Sequence, residues 1–198
     1  MRVSDVEGAF TILPLHPDVW PFFMFRFFSD SSAALQLFMH VCGDFGAAGM
    51  PGTFKLFFVD VVVQMARSVQ VLSLPMTVYV DDCSLMGPCA DEVDAEMLAF
   101  HAWALEVCGI AFKAIKDRVA AQRQLCLGFW WDSTTLTREL EEGKLLSYLQ
   151  MLAECAASTT LTLREMRSVA GRMQRCIMSF PPGAAPLAPP ALETGDCG

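Results

Sequence analysis

The feature that most constrains this chain is a pair of adjacent aspartates set between apolar segments. Met76-Thr77-Val78-Tyr79-Val80 reads as one strand, Cys83-Ser84-Leu85-Met86 as a second, and Asp81-Asp82 falls between them. That is the shape of a hairpin with two carboxylates at its tip. Two readings are open. Asp favours turns, so the tip can simply be exposed. Alternatively the acids are drawn into the fold, where an uncompensated carboxylate costs several kcal/mol and a cation is the remedy. Paired oxygen ligands suit Mg²⁺.

Composition narrows the classes. The 198 residues suffice for one domain or a domain with a small appendage. A hydrophobic fraction of 54% with 15 Phe and 12 Met excludes a disordered chain. A net charge of -8 excludes a free-standing nucleic-acid binder that works by bulk positive charge. The acidity is uneven: residues 1–100 carry 4 basic and 12 acidic groups, residues 101–198 carry 10 of each. So apolar a chain can bury a sizeable core, and can also expose surface meant for a partner or for a further part of itself. The eight cysteines include no C-x-x-C, and the three histidines supply no zinc spacing, which leaves buried, reduced thiols of an intracellular (cytoplasmic or nuclear) protein. Asp5 and Glu7 precede any apolar run, so no signal peptide opens the chain. Arg26 interrupts the apolar run Val19–Phe28, and Lys55 and Asp60 interrupt Phe54–Val63. Neither offers the roughly 20 apolar residues of a membrane span, and no membrane partner is expected.

Along the chain, Met1–Asp5 reads as the end of a strand. Pro14, Pro17 and Pro21 punctuate a loop. Phe22–Phe28 and Ala34–Val41 read as strands joined by a turn at Ser29–Ser32. Gly43–Gly52 is a glycine-rich loop leading into a helix over Thr53–Val69, whose β-branched Val59 and Val61–Val63 weaken the helical propensity. Asp91–Val107 is an amphipathic helix with Val93, Met97, Phe100, Ala104 and Val107 on one face, and Gly109 can end it. Leu125–Trp131 is strand-like and Glu141–Ala157 helical. Thr162-Leu163-Arg164-Glu165 is a capping box opening a last helix to about Met178. From Pro181 a proline-rich tail follows.

Other segments add to the acidic doublet. Asp5-Val6-Glu7-Gly8-Ala9-Phe10 again ends an apolar strand in an acid and has an aromatic five residues on. Leu13-Pro14-Leu15-His16-Pro17 follows, and then Phe45-Gly46-Ala47-Ala48-Gly49-Met50-Pro51-Gly52-Thr53-Phe54. That last segment is no P-loop, because no Gly-Lys-Ser/Thr completes it. Taken in order with Tyr79-Val80-Asp81-Asp82, a lysine in Phe112-Lys113-Ala114-Ile115-Lys116-Asp117, and Leu127-Gly128-Phe129, these segments resemble the palm of a reverse transcriptase. The resemblance runs from about Arg2 to Gly183. Its later part is similar to retrotransposons of the tyrosine-recombinase (DIRS-like) type.

The resemblance implies an RNA-directed DNA polymerase that transfers deoxynucleotides onto a primer 3′-hydroxyl. Asp5, Asp81 and Asp82 would hold two Mg²⁺ (or Mn²⁺) ions, helped by the backbone carbonyl of Val6, and two-ion nucleotidyl transfer suits carboxylates on neighbouring strands. Phe10 matches the aromatic under the incoming sugar, where a large ring disfavours a 2′-hydroxyl, against the plain reading of a core phenylalanine. Phe45, Gly46 and Tyr79 match positions that contact the nucleotide. Lys116 matches a lysine near the pyrophosphate, against the plain reading of a solvated surface lysine. Leu127, Gly128 and Phe129 match the hairpin that grips the primer. The implied partners are an RNA or DNA template with its primer and a dNTP.

One inference about the last helix needs no family. At about 100° per residue, Arg164, Arg167, Arg172 and Arg175 fall within one arc of about 140°. Met166, Val169, Ala170, Met173 and Ile177 lie opposite, where they can pack on Leu145, Leu149 and Leu152. Four guanidiniums on one face suit phosphates, or form an ordinary solvated face. The resemblance places this region in the thumb.

The expected architecture is α+β. A small antiparallel sheet backed by helices forms a palm over residues 1–132, with a residual fingers insertion at about 16–42. A helical thumb-like region covers 133–180, and the tail 181–198 is disordered. The basic fingers segment that precedes the first aspartate in the family is largely missing, and no ribonuclease H acids follow. The chain is therefore expected to be an N-terminally truncated slice of a larger polyprotein. Two functions follow: an RNA-directed DNA polymerase fragment, or a catalytically incompetent remnant that binds nucleic acid or a partner.

Overall fold

A computed structural model describes residues 1–30, 33–115 and 117–177. Lys116, part of the Ser29–Ser32 turn and the tail from 181 onward lie outside the described residues. The fold is mixed α/β, with small antiparallel sheets and five α-helices among the described residues. The chain divides into two compact units, Met1–Cys126 and Leu127–Gly198. No described helix is long and apolar enough to cross a membrane.

The first unit is built on a three-stranded sheet. Strands β1 (Arg2–Asp5), β4 (Met76–Tyr79) and β5 (Asp82–Leu85) are all antiparallel, in the order β1-β5-β4. The hairpin expected around the acidic doublet is present, with its tip one residue earlier. Tyr79 pairs with Asp82, so Val80 and Asp81 form the turn and Asp82 opens β5. Val80 takes φ 55°, a left-handed backbone that β-branched residues rarely adopt.

The expected long helix after the glycine-rich loop is split. α1 (Met50–Phe57) passes into a π-helical stretch, Phe58–Val63, and then α2 (Gln64–Ser68). The π turn coincides with the β-branched run that lowers helical propensity there. α3 (Ala90–Cys108) ends at Gly109, φ 67°, whose N–H bonds back to Leu105 O while that of Ile110 bonds to Ala104 O. Val93, Met97, Phe100 and Ala104 are buried as the periodicity predicts, whereas Val107 is exposed because the core ends a turn before the helix does. The core joins this face to Phe54, Phe58 and Val62 of the split helix and to Leu85 and Cys83 of β5. Phe54 stacks on Phe58 at 5.2 Å, and Phe58 meets Phe100 edge-on at 6.3 Å.

A 3-10 helix (Pro17–Phe23) precedes a separate hairpin, β2 (Met24–Ser29) with β3 (Ala34–Met39), paired from Met24↔Met39 to Ser29↔Ala34. The 3-10 turn takes Phe22 and Phe23 out of the expected first strand, because Pro17 and Pro21 favour a tight turn there. This hairpin leaves large apolar side chains in solvent, Phe27 at 59% and Leu37 at 63%. The strand-like run 125–131 is broken. β6 (Arg123–Cys126) ends in the first unit and β7 (Phe129–Asp132) begins in the second, with Leu127 and Gly128 between them both at positive φ.

In the second unit β7 pairs antiparallel with β8 (Thr137–Leu140), and Arg138 lies 5.1 Å from the Trp131 ring. α4 (Glu142–Ala157) and α5 (Leu163–Ile177) follow. The capping box is formed: Thr162 N and Oγ1 both donate to Glu165 Oε2 at 2.7 Å, and Glu165 N donates to Thr162 Oγ1 at 3.3 Å. Those bonds hold the Glu165 carboxyl below its usual range.

Candidate functional site

The site assembles where β1 meets the β4–β5 hairpin. Asp5 pairs with Asp82 across the β1–β5 ladder, so their side chains leave the same face of the sheet. One step on, Val6 N donates to Asp81 O at 2.9 Å, tying the hairpin turn to the end of β1. A second chain segment closes the other side. Glu7 N bonds to Ala111 O, Lys113 N bonds to Asp5 O, both at 2.8 Å, and Val6 bridges Phe112. Asp5 is thus fixed by backbone bonds on both flanks, and it is 1% exposed.

A carboxylate buried to this degree needs a compensating charge. Lys113 supplies it: its ammonium is ion-paired with Asp5 Oδ1 and stands 3.9 Å from Asp81 Oδ2. Asp81 and the Lys113 side chain are partly exposed, so the cluster opens to solvent on one side. Cys83, fully buried behind it, has its thiol pushed up by burial and then by Asp82, Asp5 and Asp81. Burial, and next Asp82, likewise push up Cys126. Neither is a ready nucleophile.

Phe10 is 5% exposed and belongs to the core. It meets Phe45 edge-on at 4.8 Å and Phe54 at 6.2 Å. The glycine-rich loop reaches this ring closely. A Cβ at Gly43 would lie 2.6 Å from Phe10 O and would also collide with Met50 Sδ, so no larger residue fits. Phe45 is 69% exposed, and Gly46 beside it has open space where a Cβ would go, with φ 97°. Tyr79 is 63% exposed at the end of β4. Asp5, Val6, Asp81 and Asp82 are therefore brought together, and Phe10, Phe45 and Gly46 form a second contiguous group in the same unit.

Of the remaining expected site residues Lys116 lies outside the described residues, and the others lie in the second unit. Leu127, Gly128 and Phe129 form the turn into β7. Arg175 donates to Leu127 O and lies 5.8 Å from the Phe129 ring. Arg172 lies 5.6 Å from the Tyr148 ring and 3.1 Å from Met151 Sδ. Arg164 and Arg167 are exposed. The α4 face that is partly buried runs through Tyr148, Met151, Leu152 and Cys155, while Leu145 and Leu149 stay 42% and 53% exposed. The arc of arginines is thus rotated, with Arg172 at the edge of the packed face.

Sequence reasoning missed Lys113. It stands three residues before Lys116 in the same segment, and only the distant pairing of Val6 with Phe112 selects it. It missed Arg2 as well, whose guanidinium is bound by Asp94 and Asp117 at 2.9 and 2.6 Å.

Among the described residues no three His, Cys, Asp or Glu side chains converge closely enough to hold a metal ion. Yet Asp5 and Asp81 already share a cation, the Lys113 ammonium, and Asp82 leaves the same face as Asp5. Carboxylate oxygens are the donor class that Mg²⁺ and Mn²⁺ take, and here Asp5 and Asp81 are the two that share one cation.

No protein-family model and no curated protein matches the chain. Solved structures do. A foamy viral protease-reverse transcriptase in complex with an RNA/DNA hybrid is similar at TM-score 0.62 and 18% identity, over 88% of this chain and 21% of that one. A foamy viral protease-reverse transcriptase dRH in complex with double-stranded DNA gives 0.61 and 18%, over 88% and 27%. A third, also with double-stranded DNA, gives 0.56 and 20%, over 88% and 32%. The chain spans about a fifth to a third of the length of these structures. The likeness is one of fold: this chain has a reverse-transcriptase-like fold.

Proposed function

We propose that this chain is the palm and thumb part of an RNA-directed DNA polymerase, of the DIRS-like retrotransposon type by its motifs, working on a primer–template with dNTPs. The observation that carries the reading is the meeting of Asp5 with the Asp81–Asp82 turn in a reverse-transcriptase-like fold. Asp5, Asp81 and Asp82, with the carbonyl of Val6, would hold Mg²⁺ or Mn²⁺. When bound, such ions activate the primer hydroxyl and stabilise the leaving pyrophosphate.

The chain's own residues do the positioning. The two flanking ladders hold the Asp5 carboxylate still, so little reorganisation is needed at the site. Phe10, held by Gly43 and Phe54, presents a fixed ring to a sugar, with Phe45 and Gly46 open for a base and Tyr79 beside the turn. Lys116 serves the pyrophosphate. Leu127, Gly128 and Phe129 steady the primer end, and the arginines of α5 meet phosphates. The apolar β2–β3 hairpin suits docking of further polymerase parts.

A second reading is a remnant that binds nucleic acid without turnover. What favours it is that Lys113 already neutralises the acid the metal would need. Primer extension with Mg²⁺ or Mn²⁺, comparing the native chain with the Asp81→Asn, Asp82→Asn double variant, decides. Polymerase function predicts extension by the native chain alone. Equal extension by both, or none by either, overturns it.

A further inference from the structure

Asp5 is 2% exposed at its side chain and keeps its charge out of water, which is tolerable only with a cation against it. In the chain without metal that cation is Lys113. Its backbone N–H is locked to Asp5 O at 2.8 Å, so the residue cannot drift away. Its side chain is 33% exposed, so the ammonium itself has a route into solvent. The same ammonium also stands 3.9 Å from Asp81 Oδ2. A divalent ion shared by Asp5 and Asp81 would need the space the ammonium fills, and two cations against the buried Asp5 repel each other.

We propose that Lys113 is a built-in counter-ion of the acidic site, which seats between Asp5 and Asp81 when no metal is bound and is expelled into solvent when a divalent cation enters. This rests on the metal-site reading given above and adds its regulation. A tethered backbone with a swinging side chain makes a two-position device: seated, it keeps the buried acid neutralised and the sheet stable; expelled, it leaves a positive group at the rim of the site. Seating and metal binding oppose each other, and by linkage each weakens the other by the same factor.

Two measurements on the full chain test this. In the first, Mn²⁺ binding is followed by electron paramagnetic resonance for the native chain, Lys113→Met and Lys113→Arg. Removing the competing charge in Lys113→Met is expected to tighten Mn²⁺ binding by at least about fivefold, with Lys113→Arg close to native. Asp81→Asn should remove the binding in either background. Native and Lys113→Met chains binding equally, both through Asp81, overturn the counter-ion while leaving the metal site standing. No Mn²⁺ binding by any of the chains overturns the metal site and the counter-ion together.

The second measurement needs no substitution, and so decides the matter if Lys113→Met does not fold. The native chain is acetylated briefly at fixed pH with and without Mg²⁺, and labelling of Lys113 is read by peptide mass mapping. Severalfold faster labelling with Mg²⁺ is expected. An unchanged rate at a Mg²⁺ concentration that saturates the site overturns the proposal.

Discussion

Arg2 and Asp117 stand 115 positions apart and are joined by two hydrogen bonds, Nε to Oδ1 at 3.0 Å and Nη2 to Oδ2 at 2.6 Å. The third guanidinium nitrogen, Nη1, donates to Asp94 Oδ1 at 2.9 Å, an oxygen that also accepts Ala120 N at 2.8 Å. Arg2 opens the strand that Asp5 closes. The fork therefore anchors β1 to α3 and to the 117–121 segment, and through β1 it sets where Asp5 sits.

Removing that anchor leaves two carboxylates facing a neutral side chain. Arg2→Met is expected to destabilise the chain by about 3 kcal/mol, read from denaturant midpoints. Arg2→Lys should recover only part of this, because an ammonium lacks the planar fork. A loss below about 0.5 kcal/mol for Arg2→Met would show the network to be a solvated surface pair instead.

His101 stacks on Phe112 at 3.9 Å, is largely buried, and has its Nε2 buried without a hydrogen-bond partner. Burial, reinforced by Arg2 and opposed by Asp117, holds its imidazole below the ordinary value of 6.5. The unfolded chain thus takes up a proton there before the folded chain does. His101 contributes stability that is complete above about pH 6.5 and is lost as pH falls through the lower folded value. His101→Phe keeps the ring stack and removes the proton. Its stability should fall less steeply between pH 7 and 5 than that of the native chain; identical slopes would contradict the assignment.

Gly109 ends α3 at φ 67° with nothing within 4 Å of where a Cβ would go. Substitution meets no clash, so only the backbone conformation is at stake. Gly109→Ala is expected to destabilise by about 1 kcal/mol, with Gly109→Asn less harmful. A neutral Gly109→Ala would mean that the turn after α3 can re-form in another conformation.

For nucleic-acid binding, Arg164 and Arg167 are the clean probes, since Arg172 and Arg175 also contact Tyr148, Met151, Leu127 and Phe129. If α5 meets phosphates, Arg164→Glu with Arg167→Glu should weaken binding to an RNA–DNA duplex and flatten the log K against log salt slope by about 1.8. An unchanged slope with weaker binding would take α5 off the duplex.

Much of this molecule was legible in one dimension. The hairpin around Asp81, the buried stripe Val93–Ala104, the left-handed stop at Gly109 and the Thr162–Glu165 box all arise from interactions within a few residues. Periodicity and turn chemistry report those interactions directly. Where local signals competed, the reading slipped by a turn or a residue: the β-branched run became a π-helical stretch, and the doublet moved one place off the hairpin tip.

What tertiary structure alone decided is which charges meet. Nothing local distinguishes Lys113 from Lys116, or marks Arg2 as an anchor rather than a solvated end. Each acquires its role from a partner roughly a hundred residues away, brought in by the Val6–Phe112 bridge and by the Met1–Ala121 backbone pair. Burial sets the rest. The sequence determined that acids stand at the ends of apolar strands; folding decided that Asp5 is sealed from water and must keep a cation, because only the packed sheet removes the solvent that would otherwise screen its charge.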